Sequence, residues 1–174
     1  ESGSGRNGVV QGATLAEDRF GETGKAYSFN GGTDLINIPD SDIFNFGKSS
    51  YSVSVWIKYG GSQGGTYMVA KYYNPNPNTF GLGHGNGKIY SFVVGQHPGA
   101  VLMGSTSFST TEWDMLTMVV DESKKLSIYL NDKLENTLDI SAESASVNNE
   151  SDLTIGGLSG GGWGTQSFKG QIDD

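Results

Sequence analysis

The chain contains no cysteine, so neither a disulfide framework nor a thiolate metal cluster holds it together, and no cysteine nucleophile is available. Prolines number only 4, against 27 glycines in 174 residues. That glycine share is about twice the usual ~7%, yet without matching prolines it makes the chain neither collagenous nor a low-complexity linker. Positive charge is scarce: 11 basic residues face 19 acidic ones, for a formal net charge of −8. Such a surface repels phosphate backbones and anionic headgroups, so nucleic acid is not an expected partner. Every apolar run falls well short of the ~20 residues of a bilayer-spanning helix, and membrane insertion is not expected. No segment sustains a 3.6-residue period; Ser141 to Ser146 is the best short helical stretch.

What the chain does have is period two. Tyr51, Val53, Val55 and Ile57 fall on one face of an extended segment, and Ser52, Ser54, Trp56 and Lys58 on the other. Trp56 is expected to be covered by a second layer or a loop. Leu126, Ile128 and Leu130 repeat the alternation, and Met115 to Val120 is apolar enough to be buried on both faces. Further strands are expected over Ala26–Asn30, Asp34–Ile38, Tyr67–Tyr72, Lys88–Val94 and Asp152–Ile155. Between them stand turn signals such as Asn30-Gly31-Gly32, Gly85-Asn86-Gly87 and the hairpin centre Asn131-Asp132. Short strands at this spacing indicate an all-β sandwich or barrel. A chain of this length needs no staple to bury a core, and residues 1–174 read as one domain.

Ordered motifs then carry a resemblance. Gly24 to Gly31, ending Ala26-Tyr27-Ser28-Phe29-Asn30-Gly31, is followed by Ile36-Asn37-Ile38-Pro39 and by the Tyr51 to Lys58 strand. Trp113 with Leu116, Leu126 to Asn131, Ile155-Gly156-Gly157 and Phe168-Lys169-Gly170-Gln171-Ile172-Asp173-Asp174 complete the series. In order and spacing it resembles the laminin-G-like jelly-roll domains of the concanavalin A-like superfamily, common in bacterial secreted and surface proteins. The resemblance implies a two-sheet antiparallel jelly-roll sandwich in a secreted or cell-surface (periplasmic or extracellular) protein. It also implies a strand ahead of Glu1 and another after Asp174, so the chain is expected to be trimmed at both ends from a larger protein with other domains.

The same sandwich hosts glucanases, whose E-x-D-x-(x)-E strand supplies two carboxylates. Glu112-Trp113-Asp114 starts that motif, but Leu116 or Thr117 stands where the second glutamate must be. No G-x-S-x-G elbow, H-E-x-x-H pair or phosphate loop is present, so no enzyme is expected. Asn149-Glu150-Ser151 matches a glycosylation sequon.

For calcium, a hard cation seeking 6–8 oxygens, the resemblance implies a structural site. Its ligands would be carbonyls of Asn30 and Gly32 and the carboxylate of Asp173, with Asp34 and Asp174 as further candidates. A glycan would need aromatic faces and amides, which Tyr72, Tyr73 and Asn74 offer in one loop and Trp163 in a glycine run. His84 joins them as a candidate contact, in a glycine-flanked loop; His97 lies in a proline-flanked one. The expected function is a non-catalytic carbohydrate-binding or adhesion module, its partner a glycan or extracellular-matrix ligand. The alternatives are a structural or protein–protein domain without a sugar site and a degenerate glycoside hydrolase.

Overall fold

Alternating apolar and polar residues commit a segment to a half-buried strand, and the longest such run lies at the centre of its sheet. The computed structural model describes residues 7–61, 64–72, 79–94, 100–121, 123–142, 147–158 and 166–174. Along the chain, β1 (Val9–Gln11), β2 (Thr14–Glu17), β3 (Thr23–Asn30) and β4 (Leu35–Ile38) precede a 3-10 turn at Asp42–Phe44. Next come β5 (Tyr51–Tyr59), β6 (Gly65–Lys71), β7 (Thr79–Gly85), β8 (Lys88–Val94) and β9 (Ala100–Ser107). The run continues with β10 (Asp114–Val120), β11 (Lys125–Leu130), β12 (Lys133–Asp139) and β13 (Leu153–Ile155). The short β14 (Gly157–Leu158) and β15 (Gln166–Ser167) lead to β16 (Lys169–Asp173).

These strands form two seven-stranded sheets, β1-β4-β13-β6-β7-β8-β9 and β12-β11-β10-β5-β16-β3-β2, beside a β14–β15 pair. The expected all-β sandwich is what forms. Met68, Phe80, Leu82 and Ile89 of the first sheet meet Ile57, Leu116, Met118, Leu126 and Ile128 of the second, all fully buried. Each such side chain contributes roughly 1.5–3 kcal/mol on leaving water. The expectation that β10 is buried on both faces is corrected. Its alternate residues Met115, Thr117 and Val119 are only half-buried, and the Thr117 hydroxyl meets that of Ser54 on the outer face. Trp56 also faces outward, covered by the Arg19 guanidinium 5.2 Å from its ring. Ser141 and Asp114 illustrate two other outcomes. Residues 141–142 make a turn, and 143–146 lie outside the described residues. The Asp114 carboxylate accepts from Ser109 N (2.7 Å) and Asn131 Nδ2 (3.1 Å), tying down the β11–β12 hairpin.

One carboxylate also seams the sheets where β9 meets β12. Glu135 Oε2 accepts from Ser105 N, Ser105 Oγ and Thr106 N, while its Oε1 accepts from Thr106 Oγ1 at 2.6 Å. Bonds that favour the ionised form, those from Thr106 foremost, pull the Glu135 pKa down to about 2.

A bulge in β6 settles which residues face the core. Tyr67 pairs with Gly83, but Val69 pairs with Leu82, so Met68 is an extra residue. Without it Tyr67 and Lys71, four apart, would share a face. With it, Tyr67 stays outside while Lys71, opposite Phe80, turns inward and is completely buried. Its ammonium is met by Asp40 Oδ1 (2.7 Å), Asn149 O (2.5 Å), Ser151 O (3.0 Å) and Asn149 Oδ1 (3.1 Å). The sequon asparagine is thus an interior group, its side-chain oxygen accepting from both Lys71 and Ser151 N. Lys71→Met leaves those oxygens without their cation and is expected to cost about 3 kcal/mol. A urea midpoint equal to that of the parent chain would refute this assignment.

The Tyr51 hydroxyl is the opposite case: buried, with no hydrogen-bond partner among the described residues. Its ring stacks on Phe46 at 4.4 Å, and burial alone raises its phenol pKa. Tyr51→Phe keeps the ring and removes the orphaned oxygen, so it is expected to stabilise the fold by about 1 kcal/mol. Thermal unfolding of the two proteins measures the sign directly.

Candidate functional site

Strand β7 carries bulk on one side only. Phe80, Leu82 and His84 alternate into the interior, and Gly81, Gly83 and Gly85 alternate onto the outer face. Aromatic residues of the neighbouring strands stand beside this glycine stripe. Tyr67 of β6 and Tyr90 of β8 both lie opposite Gly83, and Phe92 lies opposite Gly81. Phe92, Tyr67 and Met103 also lean over it. A Cβ on Gly81 would come within 2.4 Å of Phe92 Cε1 and 3.2 Å of Tyr67 Cδ1, and one on Gly85 within 3.1 Å of Met103 Cε. Glycine is therefore required here for close approach, not for backbone conformation.

The result is a shallow groove of about 250 Å³ on the outer face of the first sheet. Gly65, Tyr67, Gly85, Tyr90 and Met103 line it, with Thr66 and His84. The Tyr67 and Tyr90 rings are 6.1 Å apart and inclined at 57°, and Phe92 meets Tyr67 edge-on at 5.2 Å. Burial, and after it the neighbouring Tyr90, raise the Tyr67 pKa; burial also raises that of Tyr90. Both phenols are neutral donors and acceptors at any physiological pH. The groove thus combines ring faces, exposed backbone and uncharged hydroxyls.

Of the sequence candidates for ligand contact, Tyr72 belongs to this cluster, half-buried and edge-on to Phe92 at 6.0 Å. Tyr73, Asn74 and Trp163, like His97, lie outside the described residues. His84 is corrected: it sits in a strand, not a loop, and only 1% of it is exposed. Its ring packs edge-on against Tyr59, Phe108 and Phe168, and its Nδ1 accepts from Gly87 N at 3.4 Å. The groove residues Tyr67 and Tyr90 were missed as a pair because no local motif joins them. The alternation of glycine with Phe80, Leu82 and His84 was the available signal.

The residues of the implied calcium site lie in two places. Asn30, Gly32 and Asp34 share the β3–β4 turn, where Asp34 Oδ2 accepts from Asn30 N (2.9 Å) and Asn30 Oδ1 from Gly32 N (2.6 Å). Asn30 pairs with Lys169 at the start of β16, whereas Asp173 stands at its other end, about 13 Å along the strand. There Asp173 Oδ2 is paired with Arg19 Nη1 at 2.6 Å, its Oδ1 accepts from Asp174 N, and Arg19 also bonds the Asp174 carbonyl. A guanidinium already supplies the positive charge at that end. Among the described residues no three His, Asp or Glu side chains gather as a metal site.

Burial pushes the His84 pKa down to about 4, so the folded chain resists a proton that the unfolded chain accepts near 6.5. The stability from neutral His84 is whole above pH 6.5 and is lost as pH falls towards 4, in all on the order of 3 kcal/mol. Urea unfolding at stepped pH should show this slope. A folded His84→Phe chain should lack it, and an unchanged slope would exclude His84 as its source.

A family model described as the concanavalin A-like lectin/glucanases superfamily matches residues 30–174. No curated protein matches the chain in sequence. Among solved structures, the binding domain of Paraclostridial Mosquitocidal Protein 1 superposes with a TM-score of 0.72 at 18% identity, over 99% of this chain and 45% of that one. The binding domain of botulinum neurotoxin DC in complex with SialylT gives 0.64 at 16% identity, over 98% and 42%. The Ruminococcus gnavus IT-sialidase CBM40 bound to alpha2,3 sialyllactose gives 0.60 at 12% identity, over 86% and 88%. The chain therefore spans less than half the length of the toxin binding domains it matches.

Proposed function

The chain belongs to the concanavalin A-like lectin/glucanases superfamily, and from that premise we propose that it is a non-catalytic carbohydrate-binding or adhesion module of a secreted or cell-surface protein. The observation that carries this reading is the groove lined by Tyr67 and Tyr90, which flank β7 on either side. Sugar rings offer flat C–H surfaces that pack on aromatic faces, with hydroxyls at their edges for polar groups. A rigid sheet holds those rings better than a loop would, since their rotamers are fixed by packing on Phe92. The solved structures described above with sialyllactose and SialylT are consistent with ligand binding on this fold. They lend support by architecture alone. A catalytic reading finds little to build on. Asp114, the aspartate of the incomplete glucanase motif, is buried and spends both oxygens on Ser109 and Asn131.

A protein ligand is the second reading, favoured by Val101 and Met103, apolar and about half exposed on β9 beside the groove. A glycan array probed with the chain separates the two. Tyr67→Ala and Tyr90→Ala, each folded by circular dichroism, are expected to lower binding at least tenfold, about 1.4 kcal/mol. Array binding that survives both substitutions would place the sugar elsewhere. Silence from a folded protein would favour the protein-ligand reading.

A further inference from the structure

The groove is built without charge. Of the residues lining it, Gly65, Thr66, Tyr67, Gly85, Tyr90 and Met103 carry no ionised group, and His84 is held neutral by burial. Strand β8 has one cation, Lys88, opposite Gly85 and two residues before Tyr90. A lone lysine ammonium is a point charge without the two-pronged fit of a guanidinium to a carboxylate. Partly exposed, it is worth less than about tenfold in affinity. Around it the chain carries a net charge of −8, which repels an anionic ligand at longer range. A carboxylate entering among Tyr67, Tyr90 and Met103 would lose water and find no partner charge among the lining residues.

Size narrows the ligand further. Only two residues of β7, His84 and Gly85, reach the groove, which limits its floor to roughly 7 Å along the strand. A volume of about 250 Å³ lies below the ~300–1,000 Å³ of sites that enclose drug-sized ligands. Met103 closes over Gly85, and Tyr67 and Tyr90 bring the groove its two phenol hydroxyls.

Resting on the carbohydrate-binding reading, we infer that this groove takes a single uncharged sugar ring, laid on Tyr67 and Tyr90, and discriminates against sialylated and uronate-bearing glycans. The ring's C–H face packs on the aromatic pair while its hydroxyls exchange hydrogen bonds with the two phenols. Selection against acidic sugars comes from desolvating a carboxylate without compensation, so it persists at high salt, where the repulsion of the net charge is screened.

Titration of the chain with methyl hexosides, with sialyllactose and with glucuronate tests this, read by calorimetry or ligand-observed NMR at low and high salt. The neutral hexosides are expected to bind at least tenfold more tightly than either acidic sugar at both salt concentrations. Lengthening a neutral ligand from one ring to three should change affinity less than about threefold. Tyr67→Phe and Tyr90→Phe, which keep the ring faces, should weaken neutral sugars by severalfold; unchanged affinity in both would overturn the assigned hydroxyl contacts. Equal or tighter binding of an acidic sugar, lost in Lys88→Gln, would overturn the inference while leaving the groove a glycan site. No saccharide binding at any concentration by the folded chain would overturn the inference together with the carbohydrate-binding reading.

Discussion

An ammonium sealed inside a β-sandwich must be surrounded by oxygen, and the placement of Lys71 organises much of the first sheet. The lysine draws four acceptors from Asp40, Asn149 and Ser151, three residues far from it in sequence. The ladder must slip by one residue to admit it, and the slip is the bulge at Met68. The same slip separates Lys71 from Tyr67, so a cation is anchored within and an aromatic ring is left without. The groove therefore depends on a local irregularity whose other product is a buried lysine paired with a partly exposed aspartate. Burying the ammonium contributes little net stability, because its desolvation offsets most of the attraction of the oxygens around it. Its evident use here is positional: it fixes the end of β6 from which Tyr72 extends to Phe92.

The glycine stripe works by subtraction. Gly81, Gly83 and Gly85 supply no side chains, so Tyr67, Phe92 and Met103 of the strands around them close over the backbone at Gly81 and Gly85 and create concavity on the sheet. Glycine in a strand costs stability through backbone entropy and lost packing. That cost is recovered on the inner face, where Phe80 and Leu82 are entirely buried. A strand of this composition divides its duties by face: one half builds the core and the other leaves room above the sheet.

Much of this was legible in the sequence. Period two gave β5, β8 and β11 almost to the residue, and ordered motifs gave the superfamily. What was not legible has identifiable physical causes. A bulge is one residue long and leaves no compositional trace, so Lys71 could not be placed inside. Alternate glycines in β7 resemble loop chemistry, which put His84 in a loop although its strand neighbours carry it into the core. Tyr67 and Tyr90 are brought together by pairing through β7, a long-range relation that no window on the sequence contains. The residues of the implied calcium site stand apart for a related reason. Asn30 and Asp173 belong to neighbouring strands, but register rather than adjacency decides whether two residues on such strands meet.

The seam at Glu135 has a consequence for how the molecule behaves in company. β9 is the terminal strand of the first sheet and β12 that of the second, each with one flank lacking a ladder partner among the described residues. Such flanks are templates on which foreign strands can add. The Glu135 carboxylate occupies the Ser105 and Thr106 amides and both their hydroxyls, and Asn136 Nδ2 holds the Met103 carbonyl. Donors and an acceptor that would recruit a neighbour are thus already satisfied from within the same chain. Because that carboxylate keeps its charge down to about pH 2, the protection outlasts most acid conditions. Along this margin one glutamate and one asparagine occupy groups of β9 to which an added strand would bond.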